Sequence, residues 1–96
     1  MPRVIWSEAA LLDVQILYRF LAPKNLDAAK RAVNAVRKGL NVLQLQAAIG
    51  RPIDDMPTEF REWIIDFGDS GYVVRYRIES EFVIILAVRH QKEVGC

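Results

Sequence analysis

Cysteine is almost missing from this chain. Its 96 residues contain one, Cys96, at the extreme end, so no internal disulfide framework can form and a reducing, cytoplasmic setting is expected. Histidine is equally scarce, with His90 alone. One histidine and one terminal cysteine cannot furnish a four-ligand metal site, and the acids lack calcium-loop spacing, so no metal is expected. No glycine-rich loop opens a helix. Gly68 and Gly71 bracket a turn between strand-like segments, which leaves no phosphate cradle and no expected cofactor. Apolar runs fall far short of the ~20 residues that span a bilayer, and Met1-Pro2-Arg3 leads into no signal-peptide core, so no membrane partner is expected. Neither sign of charge dominates, the net being +1.

What is present describes a small globular domain. Hydrophobic residues make up 52% and charged residues 26%, outside the range of disordered chains. The length allows one compact domain over residues 1–96. The near-neutral total hides an asymmetry. Residues 1–52 hold eight basic and three acidic side chains (+5), and residues 53–96 hold five basic and nine acidic ones (−4). A cation-rich first half could attract an acidic partner, or it could be an ordinary solvated helix face. Binding along a phosphate backbone would ask for a clearly basic protein.

Arg3-Val4-Ile5-Trp6 reads as a strand. Ser7 can cap a helix with Glu8 in its first turn, and Ala9, Leu12, Ile16 and Phe20 keep helical spacing up to Leu21, before Pro23. Leu11, Val14, Leu17 and Tyr18 widen that stripe beyond what one neighbour covers, a first sign of a partner. Asn25 or Asp27 can cap a second helix. Its stripe runs Ala29, Val33, Val36, Leu40, Leu43, Ala47, opposite Lys30, Arg31, Asn34, Arg37, Lys38 and Asn41. Gly39 within it marks either a tolerated cost or a close backbone contact. Ile49-Gly50-Arg51-Pro52 ends the helical pattern, and Asp54-Asp55-Met56-Pro57 reads as loop.

From Phe60 the period becomes two. Strands are expected over 60–67, 72–78 and 82–88, joined by Gly68-Asp69-Ser70-Gly71 and Glu79-Ser80-Glu81. The order is β-α-α-β-β-β: an α+β fold with a helical hairpin on one face of a mostly antiparallel sheet. Alternation puts Trp63, Ile65, Phe67, Tyr72, Val74, Tyr76 and Ile78 under the helices. Glu62, Ile64, Asp66, Val73, Arg75 and Arg77 take the opposite face. The last strand is apolar throughout, so either Val83, Ile85, Ala87 and Arg89 or the other set faces outward. An open face mixing Ile64, Val73 and Ile85 with Arg75 and Arg77 suits a docking partner, since guanidinium is weakly hydrated and offers forked donors.

Candidates for catalysis are few. His90, flanked by Arg89 and Lys92, could serve as a general acid or base in phosphodiester cleavage, but no second positioned group accompanies it. The Asp54-Asp55 pair reads as turn chemistry.

Several segments together resemble a known family. They are Trp6-Ser7 entering the first helix, Asp13 within it, Ala28-Ala29 opening the second, Gly50-Arg51-Pro52, and Phe60-Arg61-Glu62. Tyr72-Val73-Val74-Arg75-Tyr76-Arg77-Ile78 and Ile85-Leu86-Ala87-Val88-Arg89-His90 complete the series. In order and spacing they are similar to the ParE branch of the ParE/RelE toxin superfamily, over essentially the whole chain. The resemblance implies the toxin of a type II toxin–antitoxin system, a plasmid-stabilisation or chromosomal module that arrests growth. It also implies a cognate antitoxin, a DNA-binding dimer whose C-terminal segment wraps the toxin. ParE-type members poison DNA gyrase by binding, and RelE-type members cut mRNA on the ribosome. Where RelE ribonucleases carry basic residues on the open sheet face, this chain has Ile64, Asp66 and Val73, which cannot stabilise developing phosphate charge. The expectation is therefore a non-enzymatic gyrase inhibitor with Leu12, Ile64, Val73, Arg75, Arg77 and Arg89 contacting antitoxin or target. The alternatives are a ribosome-dependent endoribonuclease using His90, Arg89 and Lys92, and a non-toxic module that only binds antitoxin.

Overall fold

The computed structural model describes residues 2–68 and 70–91. Strand β1 (Arg3–Trp6) leads into α1 (Glu8–Leu21) and α2 (Leu26–Leu45), followed by a 3-10 turn (Ala47–Ile49) and a two-residue strand β2 (Arg51–Pro52). Strands β3 (Phe60–Phe67), β4 (Ser70–Glu79) and β5 (Phe82–His90) are the remaining elements among the described residues. The sheet order is β1-β5-β4-β3-β2, with β1 parallel to β5 and the remaining pairs antiparallel. This is the expected α+β architecture. The helical hairpin carries the chain from one edge of the sheet to the other, which explains how a parallel strand pair joins a meander. The expected order lacked β2. Two residues are too short for a periodic signal, and Pro52 has no amide hydrogen, which suits it to an edge strand.

Both helices start where a side chain can accept an orphan amide. Ser7 Oγ takes the Ala10 N–H at 3.1 Å, and Asn25 Oδ1 takes that of Ala28 at 3.1 Å. Asn25, not Asp27, is therefore the second cap. Helix α2 packs Ala32, Val36, Leu40 and Leu43 into a core shared with Ile65, Tyr72, Val74, Tyr76, Val83, Ile85 and Val88. Gly39 faces this core: a Cβ there would lie 2.6 Å from the Ile65 side chain, and its carbonyl accepts the Trp63 indole N–H at 3.1 Å. Close approach accounts for the glycine.

Helix α1 departs from the expected stripe. Ala10 is fully buried, with Val14, Leu17 and Leu21 against the core, whereas Leu12, Ile16 and Phe20 are 51%, 53% and 62% exposed. Two apolar stripes share this helix, and periodicity alone could not say which one the sheet takes.

The β5 parity is also corrected. Arg75 pairs with Ala87 and Tyr76 with Ile85, so Leu86 is an extra residue that bulges. Before the bulge Val83 and Ile85 point inward; after it Ala87 and Arg89 point outward. Neither alternating set survives intact. Hence the uninterrupted apolar run: a phase change in mid-strand makes both parities face the core in turn.

Candidate functional site

Two surfaces carry the residues singled out by the sequence. The first is the sheet face away from the helices. Cross-strand register aligns Arg51, Glu62, Arg75 and Ala87 in one row. The Glu62 side chain, only 10% exposed, sits between two guanidinium groups, with Oε1 3.3 Å from Arg51 Nε and Oε2 2.9 Å from Arg75 Nε. Placing a carboxylate between two cations offsets its desolvation and ties β2 and β4 to β3. Arg77 is turned to its own strand, 2.6 Å from Glu79. Ile64 remains exposed. Val73, expected on the open face, is only 4% exposed. It lies in the central strand between Ile64 and Arg89, so its neighbours shield it and it offers no docking area.

Arg89 does not join this arginine row. Its guanidinium reaches Asp13 on α1 at 2.9 Å, and the second oxygen of Asp13 accepts the Val88 N–H at 2.9 Å. The reason lies in the sheet. Strand β1 covers β5 only as far as Ile85, so Asp13 caps an amide that β1 does not reach. The sequence set Asp13 apart only through the family resemblance; nothing in its periodicity revealed the role.

His90 pairs across from Tyr72, and its ring meets the Tyr72 ring edge-on at 5.6 Å. Tyr72 lies 6.0 Å from Phe67. Being adjacent on a strand, Arg89 and His90 project to opposite sides. The structure therefore does not bring them together. Lys92 and Cys96 lie outside the described residues, as does Asp69. Among the described residues no group of three potential metal ligands forms.

A buried tyrosine fixes the junction after α2. Tyr76 Oη donates to the Ala47 carbonyl at 2.6 Å and accepts the Gly50 N–H at 2.9 Å. A Cβ on Gly50 would lie 2.5 Å from that hydroxyl and 2.6 Å from the Glu62 carbonyl oxygen. Arg61 adds donors to the carbonyls of Ala48 and Gly50 at 3.3 and 2.8 Å. Burial raises the Tyr76 pKa above 10.0, although the Gly50 hydrogen bond and the nearby Arg61 charge pull the other way. Burial raises Tyr72 as well. This network sets β2 beside β3 and so places Arg51 on Glu62.

The second surface is on the helical side. A cleft of about 520 Å³ opens between α1, α2 and β1. Val4, Trp6, Leu11, Val14, Val33 and Leu40 line it, together with Gln15, Arg37, Asn41 and Gln44. It continues into a shallower hollow at Tyr18 and Arg19. The outer side of α2 adds exposed Lys30, Arg31 and Lys38. An apolar floor under a cationic and amide rim suits an amphipathic acidic segment. Among the described residues no helix is long and apolar enough to cross a membrane.

Comparison with known proteins agrees with this architecture. Residues 4–95 match the family model described as the ParE toxin of the type II toxin–antitoxin system parDE. Toxin RelE3 of Caulobacter vibrioides is 31% identical over 93 residues, covering 97% of this chain and 98% of that protein. Among solved structures, the chromosomal ParDE toxin–antitoxin system from P. aeruginosa superposes with TM-score 0.74 at 18% identity, over 94% of this chain and 96% of that one. The RelBE2 toxin–antitoxin complex from Mycobacterium tuberculosis superposes with TM-score 0.53 at 23% identity, over 95% of this chain and 100% of that one. At these identities the superpositions speak for the fold, while the sequence match over nearly the whole chain speaks for descent. The chain thus belongs to the ParE toxin family of type II toxin–antitoxin systems.

Proposed function

We propose that this chain is a toxin that arrests growth by binding DNA gyrase, and that a cognate antitoxin neutralises it. The observation that carries the binding mode is the state of the arginines. Arg75, Arg77 and Arg89 each engage a carboxylate of the same chain, and His90 projects to the side away from Arg89. Such an arrangement favours docking over phosphodiester cleavage, which needs an acid, a base and a cationic stabiliser converging on one phosphate. Incubating purified toxin with gyrase and relaxed plasmid tests the reading. Loss of supercoiling or accumulation of cleaved DNA is expected, and unaltered supercoiling at stoichiometric excess would refute it.

For the antitoxin we assign the cleft between α1, α2 and β1, with Arg37 as the rim cation and Leu12, Ile64, Arg75, Arg77 and Arg89 as further contacts for antitoxin or target. Arg37→Glu should weaken capture of the antitoxin about tenfold or more, by placing like charge against an acidic segment. Unchanged affinity would remove the cleft from the interface. Arg75→Glu should weaken binding too, but it also sets a second carboxylate beside Glu62, so circular dichroism must accompany that assay.

A second reading, ribosome-dependent mRNA cleavage, is favoured by the likeness to Toxin RelE3. His90→Ala distinguishes it: full growth arrest by that variant removes His90 from any mechanism. A third, a non-toxic module that binds antitoxin alone, would show as normal growth after induction without antitoxin.

A further inference from the structure

Four arginines stand on the open sheet face, and they are not held alike. Arg77 and Arg89 meet their carboxylates through terminal nitrogens, Nη2 with Glu79 at 2.6 Å and Nη1 with Asp13 at 2.9 Å. Arg51 and Arg75 meet Glu62 through Nε, at 3.3 and 2.9 Å. A guanidinium offers one fork along its side, made with Nε, and another at its end, between the two Nη groups. Glu62 therefore takes the sides and leaves the ends. Among the described residues no other hydrogen bond or ion pair engages Arg51 or Arg75. Their side chains are 67% and 46% exposed.

The pair is also prepared in advance. Arg51 and Arg75 belong to the strands on either side of β3 and converge on one carboxylate. Glu62 holds together two like charges that would otherwise separate, and the triad keeps an excess of one positive charge. Long side chains that are already fixed lose less freedom when they bind.

The surroundings decide which anion fits. Arg51, Arg75, Arg77 and Arg89 are matched across the face by Glu62, Asp66, Glu79 and, from α1, Asp13. That balance provides no field for a nucleic-acid strand. Successive phosphates would also run toward exposed Asp66 along β3 or Glu79 along β4, each four residues and about 13 Å from the triad. A single carboxylate needs only the two arginine ends. Exposed Ile64 and half-buried Ala87 lie beside them, an aliphatic surround that suits one charged anchor in a protein interface.

We infer that Arg51 and Arg75 form a receptor for one acidic side chain of a protein partner, whose apolar neighbours seat on Ile64 and Ala87. The inference rests on the docking reading of this face, but not on gyrase being the partner. The receptor lies on the opposite side of the sheet from the cleft between the helices, so it is a separate point of recognition.

Correlation spectra of the arginine Nε–Hε groups in the full-length chain test the inference. The probes are a blocked hexapeptide with one glutamate among leucines and alanines, its glutamine counterpart, and a single-stranded DNA hexanucleotide. The glutamate peptide should shift the Arg51 and Arg75 signals saturably while those of Arg77 and Arg89 hold still. The glutamine peptide should leave all four in place. Arg51→Lys and Arg75→Lys each keep the charge and lose the end fork, so each should weaken the peptide at least about tenfold. Circular dichroism checks both variants. Arg51 sits on a short exposed edge strand, so its variant still decides the matter where Arg75→Lys disturbs the fold. Silence of both signals toward the glutamate peptide overturns the inference. So does full affinity in the lysine variants, or tighter binding of the hexanucleotide. A toxin that binds the peptide but leaves gyrase unaffected loses its proposed target and keeps the receptor; the reverse result removes the receptor alone.

Discussion

The two helices are nearly equal partners in the sequence and unequal ones in the structure. Helix α2 buries Ala29, Ala32, Val36, Leu40 and Leu43. Its other side exposes Lys30, Arg31, Asn34, Arg37, Lys38 and Asn41, with Arg31 paired to Asp27 at 3.0 Å. Helix α1 fully buries one small residue, Ala10, and leaves Leu11, Leu12, Ile16 and Phe20 substantially in solvent. The difference teaches that apolar content alone does not measure a helix's share of the core. Helix α2 turns its apolar side to the fold, whereas α1 has one apolar stripe against the sheet and another left in solvent.

Substitutions can break this contrast in graded fashion. The largest effect is expected on α2: Leu43→Ala leaves a cavity in a fully buried site and should cost about 2–5 kcal/mol, read from urea unfolding. Leu12→Ala on α1 should change stability by no more than about 0.5 kcal/mol. Equal losses at the two positions would abolish the distinction between the helices.

The junction that follows α2 comes next. Gly50→Ala would drive a methyl group into the Tyr76 hydroxyl and the Glu62 carbonyl oxygen, and a loss of about 1–3 kcal/mol is expected. Tyr76→Phe leaves the Ala47 carbonyl and the Gly50 N–H without their partner, at a cost of about 1–3 kcal/mol. The same variant carries a pH signature. Folding raises the Tyr76 pKa above 10.0, so its contribution is complete below pH 10 and is lost as pH climbs through the raised value. Stability measured above pH 10 should therefore fall, and should fall less steeply in Tyr76→Phe.

A smaller effect, though larger than that of Leu12→Ala, is expected at the seam between α1 and the sheet. Asp13→Ala frees the Val88 N–H near the edge of β5 and releases Arg89, for a loss of about 1 kcal/mol. Hydrogen exchange at Val88 should accelerate while Leu43, deep in α2, keeps its protection. Uniform acceleration would mean that α1 and α2 open together, against the contrast drawn above.

Much of the architecture was legible beforehand. The cap at Ser7, a second cap at Asn25 or Asp27, the charged side of α2 and the inner face of β3 and β4 all follow from local chemistry and strict periodicity. What resisted reading shares one cause. The Leu86 bulge, the choice between the stripes of α1, the shielding of Val73 and the role of Asp13 depend on neighbours distant in the chain. The pattern Leu12-Ile16-Phe20 is as good a core stripe as Ala10-Val14-Leu17-Leu21 until the sheet is present. The candidate site was legible as a list of arginines and aliphatic groups, but their mutual engagement was not.

By itself, then, the sequence determined the kinds of element and their order, because helix caps, turn residues and the period of apolar positions act within a few residues of one another. Only the tertiary structure decided which side of each element meets the core and which arginines are already paired. Those outcomes are set by contacts such as Asp13 with Arg89 and Glu62 with Arg75, between residues that no local rule connects, and their energies exist only once the sheet and the helical hairpin have closed on each other.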